Sequence, residues 1–284
     1  MAELLGTTTA VRAAVGSARA KGHRVGLVPT MGALHDGHSR LIDRCRGKTD
    51  LTIVSIFVNP TQFGPNEDFL RYPRALDDDL KRCQAAGALV FAPGTETIYP
   101  NGVRSTFVEV SDLGDILEGA SRPGHFRGVA TVVLKLFEIV RPDVACFGQK
   151  DYQQQLLLRR MALDLHLAVE IDTCPTIREA DGLAMSSRNR YLNPEERRAA
   201  GVLFGALESA RKAVATGEHR AGQVRQILRE TIESEPRARL DYAEVRSASN
   251  LDPLEEVGPE SLAVALLAVR IGNTRLIDNM LLSG

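Results

Sequence analysis

The sequence has few cysteines, and they do not form the patterns that disulfide scaffolds show. The four residues Cys45, Cys83, Cys146 and Cys174 are widely spaced among 284 residues, and no two make a C-x-x-C pair. Such a number is too small for a disulfide framework. We therefore interpret them as reduced thiols and expect a cytoplasmic protein.

An excess of charge of either sign is also absent. Lys plus Arg number 35, Asp plus Glu number 36, and both halves of the chain are close to neutral. Tight binding of duplex nucleic acid depends on neutralising many phosphates with clustered cations. We therefore expect no nucleic-acid partner.

Long hydrophobic runs are missing as well. The segment Met1–Gly22 is rich in alanine with scattered arginines and lacks the apolar core of a signal peptide. The most apolar helical run, Val129–Val140, includes Lys135 and Glu138 and is too short to span a bilayer. We expect a soluble protein without a membrane partner.

Three common enzyme motifs are not found. No G-x-G-x-x-G follows the first predicted strand, and no G-x-S-x-G is present. Gly47-Lys48-Thr49 resembles the end of a P-loop, but Ile42 occupies the position of the required glycine. These absences argue against a dinucleotide fingerprint, a serine hydrolase elbow and a P-loop nucleotidase.

Strand-like and helix-like segments alternate in the first two-thirds of the chain. The run Leu51–Val58 is continuously apolar and β-branched, as in a strand covered on both faces. Further strands are predicted at Arg24–Pro29, Ala88–Ala92, Val144–Phe147 and Leu167–Asp172, and helices at Gly37–Gly47, Arg74–Ala86, Gly128–Val140 and Gln153–Leu165. This order predicts an α/β domain over residues 1–176, with a mostly parallel sheet and helices on both faces.

The last third of the chain has a different order of elements. Asn193-Pro194-Glu195-Glu196 has the cap, the early proline and the early acids of a helix N-terminus. Helices are predicted at Glu195–Thr216 and Ala221–Glu233, followed by strands at Arg239–Ser247, Ser261–Ile271 and Thr274–Met280. Helices followed by strands predict a smaller α+β domain over residues 177–284.

The most informative segment is Pro29–His38, which follows a predicted strand and opens a helix. His35 and His38 are three residues apart, and Gly37 allows a ligand to approach the backbone closely. Free N–H groups and the positive end of the helix favour phosphate there, and two imidazoles can stabilise developing phosphoryl charge. The alternative is a pair of surface or metal-binding histidines, although two ligands alone make a poor metal site.

Three other segments follow predicted strands, where open α/β sheets bind ligands. Gly182–Arg190 offers hydroxyls and a guanidinium to phosphates, or is a polar linker. Phe147–Gln155 offers a lysine to phosphates and a carboxylate to a ribose hydroxyl, or is a solvated helix start. Asn59–Gly64 offers amides to a small carboxylate or alcohol, or is an ordinary turn.

Taken together, these segments resemble the pantothenate synthetase family, within the nucleotidyltransferase superfamily that has HxGH and KMSKS motifs. HxGH is His35–His38, and Ala184–Arg188 corresponds to KMSKS with alanine replacing the first lysine. The resemblance extends from Pro29 to Asn189 through PTMGALHDGH, VNPTQFGPNEDF, RPGHFRGVATVV, FGQKDYQQ and READGLAMSSRN.

The resemblance implies a Rossmann-like N-terminal domain, a C-terminal domain that acts as a lid, and a homodimer. The implied reaction ligates (R)-pantoate to β-alanine in two steps. The carboxylate of pantoate first attacks ATP to give pantoyl adenylate and pyrophosphate, and the amine of β-alanine then gives pantothenate and AMP. Mg²⁺ would accompany ATP through its phosphate oxygens.

The resemblance also assigns residues to each ligand. Four would be catalytic: His35, His38, Lys150 and Arg188. ATP would contact Met31, His38, Gly148, Lys150, Asp151, Met185, Ser186, Ser187 and Arg188. Pantoate would contact Met31, Gln62, Phe63 and Gln154, with Asn59 as a weaker candidate.

Two groups of residues keep more than one interpretation. Asp78 and Asp79 are possible neighbours of Mg²⁺, but such an acidic run is more often a solvated helix start. Glu118, Arg122 and His125 either gate an entrance for β-alanine or form a mobile surface loop.

Two other functions are consistent with parts of the pattern. An enzyme that transfers AMP to a phosphate-bearing acceptor of coenzyme A or NAD synthesis would need clustered cations where Asn59–Gly64 offers amides. An ATP-sensing protein would not need both histidines as well as Lys150. A truncated tRNA synthetase is disfavoured because no basic anticodon-binding region is present.

Overall fold

A computed structural model of the chain describes residues 4–65, 67–103, 106–258 and 262–283. The chain divides into two compact units. The N-terminal unit comprises Met1–Gly148 and Gln153–Pro175, and the C-terminal unit comprises Gln149–Tyr152 and Thr176–Gly284. The four residues Gln149–Tyr152 thus group with the C-terminal unit. The assignment of 1–176 and 177–284 to a substrate-binding domain and a lid stays a prediction.

The N-terminal unit is built on a six-stranded sheet in which every pair of neighbouring strands is parallel. Its strands are β1 (Leu4–Leu5), β2 (Val25–Thr30), β3 (Leu51–Ile56), β4 (Leu89–Phe91), β5 (Val144–Gly148) and β6 (Glu170–Cys174). Its helices are α1 (Thr8–Arg19), α2 (Asp36–Arg46), α3 (Leu76–Ala85), α4 (Thr95–Ile98), α5 (Glu118–Ser121), α6 (His125–Val140) and α7 (Tyr152–Asp164), with a 3-10 turn at Pro60–Gln62.

The strand order β1-β4-β3-β2-β5-β6 creates a switch point at the centre of the sheet. From β2 the chain runs outward through β3 to β4, and later returns to place β5 on the other side of β2. Ligands of open α/β sheets bind outside the carboxyl ends of strands at such a reversal. The loops that follow β2, β3 and β5 therefore start at adjacent positions of one edge.

Several element boundaries differ from the sequence predictions. Helix α1 was not predicted, although buried Val11, Val15 and Ala18 give it an apolar face. Helix α6 begins at His125, before the predicted Gly128. Strand β6 begins later than the predicted Leu167, because the turn that ends α7 extends through His166 at φ +52°.

Within the described residues, the C-terminal unit has three helices and a three-stranded antiparallel sheet in the order β7-β8-β9. The helices are α8 (Pro194–Ala199), α9 (Val202–Ala215) and α10 (Ala221–Glu233), after a 3-10 helix at Ser187–Tyr191. The strands are β7 (Ala238–Ser247), β8 (Ala263–Ile271) and β9 (Thr274–Leu282). The single helix predicted at Glu195–Thr216 is instead two helices, since the chain turns between Ala199 and Val202. The predicted start of β8, Ser261, lies outside the described residues.

The core of the C-terminal unit lies between this sheet and helices α9 and α10. Leu203 and Leu207 of α9 and Leu228 of α10 pack with the alternate residues of β8 that begin at Ala263. The central strand is buried along almost its whole length. The structure thus confirms the predicted class, a parallel α/β domain followed by a smaller α+β region. Among the residues described, no helix has the length and apolar character needed to cross a bilayer.

Candidate active site

The loop after β2 brings the two HxGH histidines together at the start of α2. His35 is the N-cap residue of this helix, and its backbone N–H donates to Nδ1 of His38 at 3.3 Å. The two imidazole centroids are 4.1 Å apart. The first turn of a helix presents unpaired N–H groups and a positive dipole end. The predicted pairing of the imidazoles at a phosphate-favouring position is therefore present.

Asp79 of α3 holds this loop in shape. One carboxylate oxygen accepts the N–H of Ala33 at 2.9 Å, and the other accepts the N–H of Leu34 at 2.7 Å. Gly32 and Ala33 have φ of +84° and +52°, a left-handed backbone that directs both amides at one carboxylate. Burial raises the pKa of Asp79, and the two backbone hydrogen bonds oppose that rise.

The acidic run therefore contains two kinds of residue. Asp79 is only 2% exposed and acts on the loop before His35, so it is not part of a solvated helix start. Asp78 is exposed and pairs with Lys81 three residues later. This is the arrangement expected of a solvated helix start. In the described residues no group of three or more His, Cys, Asp or Glu side chains is arranged to hold a metal ion.

The loop after β3 presents the amide of Gln62 on a buried hydrogen-bond network. Asn59, which is 1% exposed, donates to Gln62 Oε1 at 3.0 Å and accepts from the hydroxyl of Tyr99 at 2.8 Å. Gln62 Nε2 lies 3.2 Å from the sulfur of Met31. Two of the residues predicted to bind pantoate, Met31 and Gln62, are therefore in contact. Phe63 packs edge-on against neighbouring aromatic rings.

Arg122 and His125 fix the main chain of this loop. The Arg122 guanidinium binds both oxygens of Glu67, at 2.6 and 2.7 Å. His125 Nδ1 lies 2.8 Å from the carbonyl oxygen of Gln62, and its Nε2 lies 3.0 Å from Arg122 Nη1. Burial and the charge of Arg122 lower the pKa of His125 to about 4. At neutral pH the ring is uncharged, with Nδ1–H donating to Gln62 and Nε2 accepting from Arg122.

These contacts correct the interpretation of Glu118–His125 as a mobile surface loop. Arg122 and His125 are held by at least two partners each, and Glu118 is only 6% exposed. The backbone N–H of Glu118 donates to Gln153 Oε1, which ties the segment to α7. A role at the entrance for β-alanine stays a prediction.

A glycine of α6 allows the Gln62 loop to pack directly on this helix. A Cβ at Gly128 would lie 2.4 Å from the carbonyl oxygen of Thr61 and 2.7 Å from the Cα of Gln62. The Gly128 carbonyl also accepts from Asn59 Nδ2 at 3.1 Å. The position therefore requires glycine because of the close approach of two backbones.

Three consecutive glutamines follow Tyr152 in the first turn of α7, and their roles differ. Gln153 donates to the carbonyls of Leu113 and Ile116, and Gln155 accepts from Arg159. The side-chain amide of Gln154, the predicted pantoate residue, has no hydrogen-bond partner among residues 4–65, 67–103, 106–258 and 262–283, and the residue is half-buried. Its amide is therefore available to a ligand.

The remaining predicted ATP residues, apart from Gly148 at the end of β5, belong to the C-terminal unit. Lys150 Nζ lies 3.8 Å from a carboxylate oxygen of Asp151 in the turn before α7. Ser186 is the N-cap of the following 3-10 helix and accepts the backbone N–H of Arg188. Ser187 is buried, and Met185 is half-buried.

The segment before Ser186 forms a hairpin. Arg178 and Ala184 form an antiparallel bridge, and the turn between them places Gly182 at φ +89°. Glu179 accepts from Asn189 at 2.7 Å and from Arg197 at 2.7 Å. These contacts set the position of the residues that correspond to KMSKS.

Sequence reasoning missed the residues that support the predicted site. They are Glu67, Tyr99, Arg178, Asn189, Arg197, Asp278 and Asn279. Their partners are mostly backbone groups or side chains distant in sequence, which leave no local pattern. The one available signal was the adjacent pair Asp278-Asn279, which interrupts the apolar run from Leu276 to Leu282, where buried polar groups need partners.

Comparison with known proteins identifies the family. The model of the family "Pantoate-beta-alanine ligase" matches residues 3–281. This chain belongs to the pantoate–β-alanine ligase family. A pantothenate synthetase from Moorella thermoacetica is 54% identical over 281 residues, which cover 99% of this chain and 98% of that relative.

Solved structures of the family have the same fold. The crystal structure of pantothenate synthetase from Thermus thermophilus superposes with a TM-score of 0.92 at 45% identity, over 98% of both chains. A pantoate–β-alanine ligase from Francisella tularensis, complexed with "Beta-gamma ATP and Beta-alanine", gives a TM-score of 0.81 at 34% identity over 99% of this chain and 98% of that one. The predicted membership of the family is thereby confirmed.

Proposed function

We propose that this protein ligates (R)-pantoate and β-alanine to pantothenate, with ATP as the energy source and pantoyl adenylate as the intermediate. AMP and pyrophosphate are the other products. The observation that carries the proposal is the juxtaposition of Met31 and Gln62, an amide-lined loop beside the HxGH segment, in a chain that matches this family along its whole length. The Francisella relative bound to an ATP compound and β-alanine supports two of the three substrates.

In the first step a pantoate carboxylate attacks the α-phosphorus of ATP. Negative charge develops on the phosphate oxygens and on the leaving pyrophosphate. His35 and His38 lie at the N-terminus of α2, where imidazole N–H groups and helix N–H groups can stabilise this charge. The step needs no nucleophile from the protein, so positioning and charge stabilisation account for the rate.

Pantoate is a neutral polyol apart from its carboxylate, and amides suit it better than clustered cations. Gln62, supported by Asn59, and the amide of Gln154, which has no partner within the described part of the chain, would bind its hydroxyls and carboxylate. Met31 and Phe63 would contact its methyl groups. An acceptor that carries phosphate would need positive charge in place of these amides, which disfavours AMP transfer to such an acceptor.

Further ATP contacts are proposed for the segments at residues 148–151 and 184–188. Lys150, Ser186, Ser187 and Arg188 would bind the phosphates, which suits their ammonium, hydroxyl and guanidinium groups. Gly148 and Asp151 would hold the ribose, and Met185 and Met31 would contact ATP. The family motifs support these roles.

In the second step the amine of β-alanine attacks the acyl carbonyl of pantoyl adenylate and AMP leaves. Acyl adenylates hydrolyse in water, so the site must exclude solvent until the amine arrives. We propose that the C-terminal unit performs this exclusion as a lid.

Mg²⁺ fits the proposal as a companion of ATP. Both carboxylate oxygens of Asp79 accept backbone N–H groups, and Asp78 pairs with Lys81. This donor set suits an ion that is held mainly by phosphate oxygens and water. Bound in that way, Mg²⁺ would neutralise charge on the triphosphate. Of the two acids, Asp78 is better placed to contact the water shell of the ion, because its side chain is exposed.

A homodimer and a cytoplasmic location complete the proposal. The four cysteines are free thiols, and all are buried, which supports a reducing compartment. Light scattering coupled to gel filtration tests the dimer, since a mass near 31 kDa for the eluting species would contradict it.

The deciding experiment measures pyrophosphate release from ATP and Mg²⁺, with pantoate alone and with pantoate plus β-alanine. We expect slow release with pantoate alone, acceleration by β-alanine, and an equal yield of AMP. Consumption of ATP without pantoate, or no consumption by folded protein, would contradict the proposed function.

The variant His38→Ala tests the role of the HxGH loop. We expect kcat of pantoate-dependent pyrophosphate release to fall by about 100-fold, the usual effect of removing one donor to a developing oxyanion. His23→Ala is the matched control, because His23 is exposed and lies outside the site. A fall of less than about threefold in His38→Ala would remove His38 from the catalytic group.

A further inference from the structure

The side chain of Asn279 on β9 holds the turn that contains Lys150. Asn279 is 2% exposed, and its Nδ2 donates to the carbonyl oxygens of Gln149 and Lys150, at 2.9 and 2.8 Å. Both partners are acceptors, so only the NH₂ end of the amide can face them. The far end of the turn is held as well, since the hydroxyl of Tyr152 donates to the carbonyl of Ala248 at 2.8 Å.

The preceding residue of β9, Asp278, holds the hairpin that leads to Ser186. Its carboxylate receives two hydrogen bonds from Arg178, at 2.6 and 3.0 Å, and its side chain has no exposed surface. Arg178 also donates to the carbonyls of Gly182 and Asn279. Its guanidinium stacks on Phe204, 4.7 Å from the ring centroid.

The two attachments use opposite faces of one strand. Successive side chains of a strand point to opposite sides of the sheet. Leu276 and Leu282, which share the parity of Asp278, pack in the core with α9 and α10, so Asp278 faces the helices. Asn279 points to the other face, where the backbone of Gln149–Lys150 lies. Strand β9 is thus the common support of two loops that precede it by more than 90 residues.

We propose that Asn279 is a positioning residue for ATP. Together with the Asp278–Arg178 pair, it fixes the Lys150 turn and the Gly182–Arg188 segment on one rigid strand. This inference rests on the proposed function, because it takes Lys150 and Arg188 as ATP-binding residues. On this inference, Asn279 influences ATP affinity and turnover although it contacts neither the substrates nor the reacting atoms.

The chemistry of ATP activation explains why such a support is needed. A lysine ammonium sits on a flexible stem, so a fixed backbone reduces the range of positions that it takes around a phosphate. A displacement of about 1 Å at the reacting groups can cost about 100-fold in rate. Removal of the Asn279 amide leaves two backbone carbonyls of the turn without their donor, which favours such a displacement.

The first test is Asn279→Ala in the full-length protein. We expect kcat/KM for ATP to fall by about 10- to 100-fold, while KM for pantoate changes by less than about twofold. Hydrogen–deuterium exchange of the amides at residues 148–153 should accelerate. The matched control is Asp241→Ala, which removes the 2.8 Å ion pair between Asp241 of β7 and Arg275 of β9 and leaves the Lys150 turn untouched. Its ATP kinetics should equal those of the parent.

The second test is Asn279→Asp, which keeps the size of the side chain. A carboxyl donates a hydrogen bond only when protonated. We therefore expect KM for ATP, relative to the parent at each pH, to improve as the pH falls from about 8 to about 6, because burial raises the pKa of a carboxyl. If the variant lost activity through general destabilisation, the fraction of active protein would fall. KM for ATP, KM for pantoate and the pH dependence of KM for ATP relative to the parent would then all stay unchanged.

The outcomes separate this inference from the proposed function. Parental KM for ATP in Asn279→Ala, or equal losses for ATP and pantoate, overturns the positioning role. If Asn279→Ala does not fold, Asn279→Asp decides instead. A KM for ATP that equals the parental value at every pH in Asn279→Asp would overturn the positioning role. If the parent protein releases no pyrophosphate with pantoate, the proposed function fails. In that case hydrogen–deuterium exchange still tests the structural role of Asn279, and unchanged exchange rates at residues 148–153 in the variants would refute that role as well.

Discussion

Glu67→Gln is expected to weaken both the N-terminal unit and the binding of pantoate. Glu67 binds the Arg122 guanidinium through both oxygens and accepts the N–H of Gly64. Arg122 in turn contacts His125 and the carbonyl of Gln62. A glutamine can accept from only one of the two guanidinium donors, and it leaves a largely buried cation without its counter-charge. The loop that contains Gln62 is then held less firmly, because Arg122 is one of its anchoring contacts.

The pKa of Glu67 gives the magnitude. Burial of Glu67 raises its pKa, but the hydrogen bonds and charge of Arg122 outweigh burial and lower the pKa from 4.5 to about 2. A decrease of this size corresponds to about 3 kcal/mol of folding free energy at neutral pH. The Glu67 side chain is 25% exposed, so screening by solvent reduces the expected loss to about 2 kcal/mol.

The sign of the pH dependence follows from the lowered pKa. This stabilisation is complete above the unfolded pKa near 4.5 and is lost as the pH falls through the folded pKa of about 2. The difference between parent and Glu67→Gln should therefore be constant above about pH 6. It should shrink by roughly 40% at pH 3.5.

Urea unfolding across this pH range measures the effect on stability, and substrate kinetics measure the effect on the site. We expect KM for pantoate to rise by about tenfold, which corresponds to about 1.4 kcal/mol of lost binding, with KM for ATP unchanged. Glu208→Gln is the control, since its pair with Arg211 lies on the surface of α9 and should contribute little. A loss below about 0.5 kcal/mol, or a loss independent of pH, would refute the reasoning.

Two further changes test the same loop. Gly128→Ala should lower the free energy of unfolding in urea by about 1–3 kcal/mol and raise KM for pantoate, because the new Cβ would collide with the backbone of Thr61. Gly205→Ala on α9 is the control. Its Cβ would meet nothing within 4 Å, so the free energy of unfolding should stay the same or increase. Tyr99→Phe should cost about 1–2 kcal/mol in the same measurement, since it removes the 2.8 Å hydrogen bond to Asn59. An unchanged unfolding free energy would mean that the two hydrogen bonds from Thr61 to the same Asn59 oxygen are sufficient.

Much of the fold was predictable because each element has a local pattern. The apolar run Leu51–Val58 identified β3, and the Asn193 cap with Pro194 and the early acids identified the start of α8. Elements without such patterns were missed or misplaced. The short helices α4 and α5 have four residues each, too few for any helical periodicity to show.

The candidate site was predictable in its outline and not in its supports. HxGH and the amides of Asn59–Gly64 are contiguous, so a single chain shows them together. Asp79 binds amides 45 and 46 residues away, and Asn279 binds carbonyls 129 and 130 residues away. These partners are backbone groups, which every residue has, so no residue type marks them in the sequence.

The sequence by itself determined the alternation of strands and helices and the family, and it predicted which side chains would contact ATP and pantoate. Only the tertiary structure decided which acid of Asp77–Asp79 is buried, why Gly128 must be glycine, and which strand supports the Lys150 turn. The physical reason is that side-chain chemistry and periodicity are local properties of a chain. Burial and hydrogen-bond partners depend on which distant segments the fold brings within about 3 Å of each other.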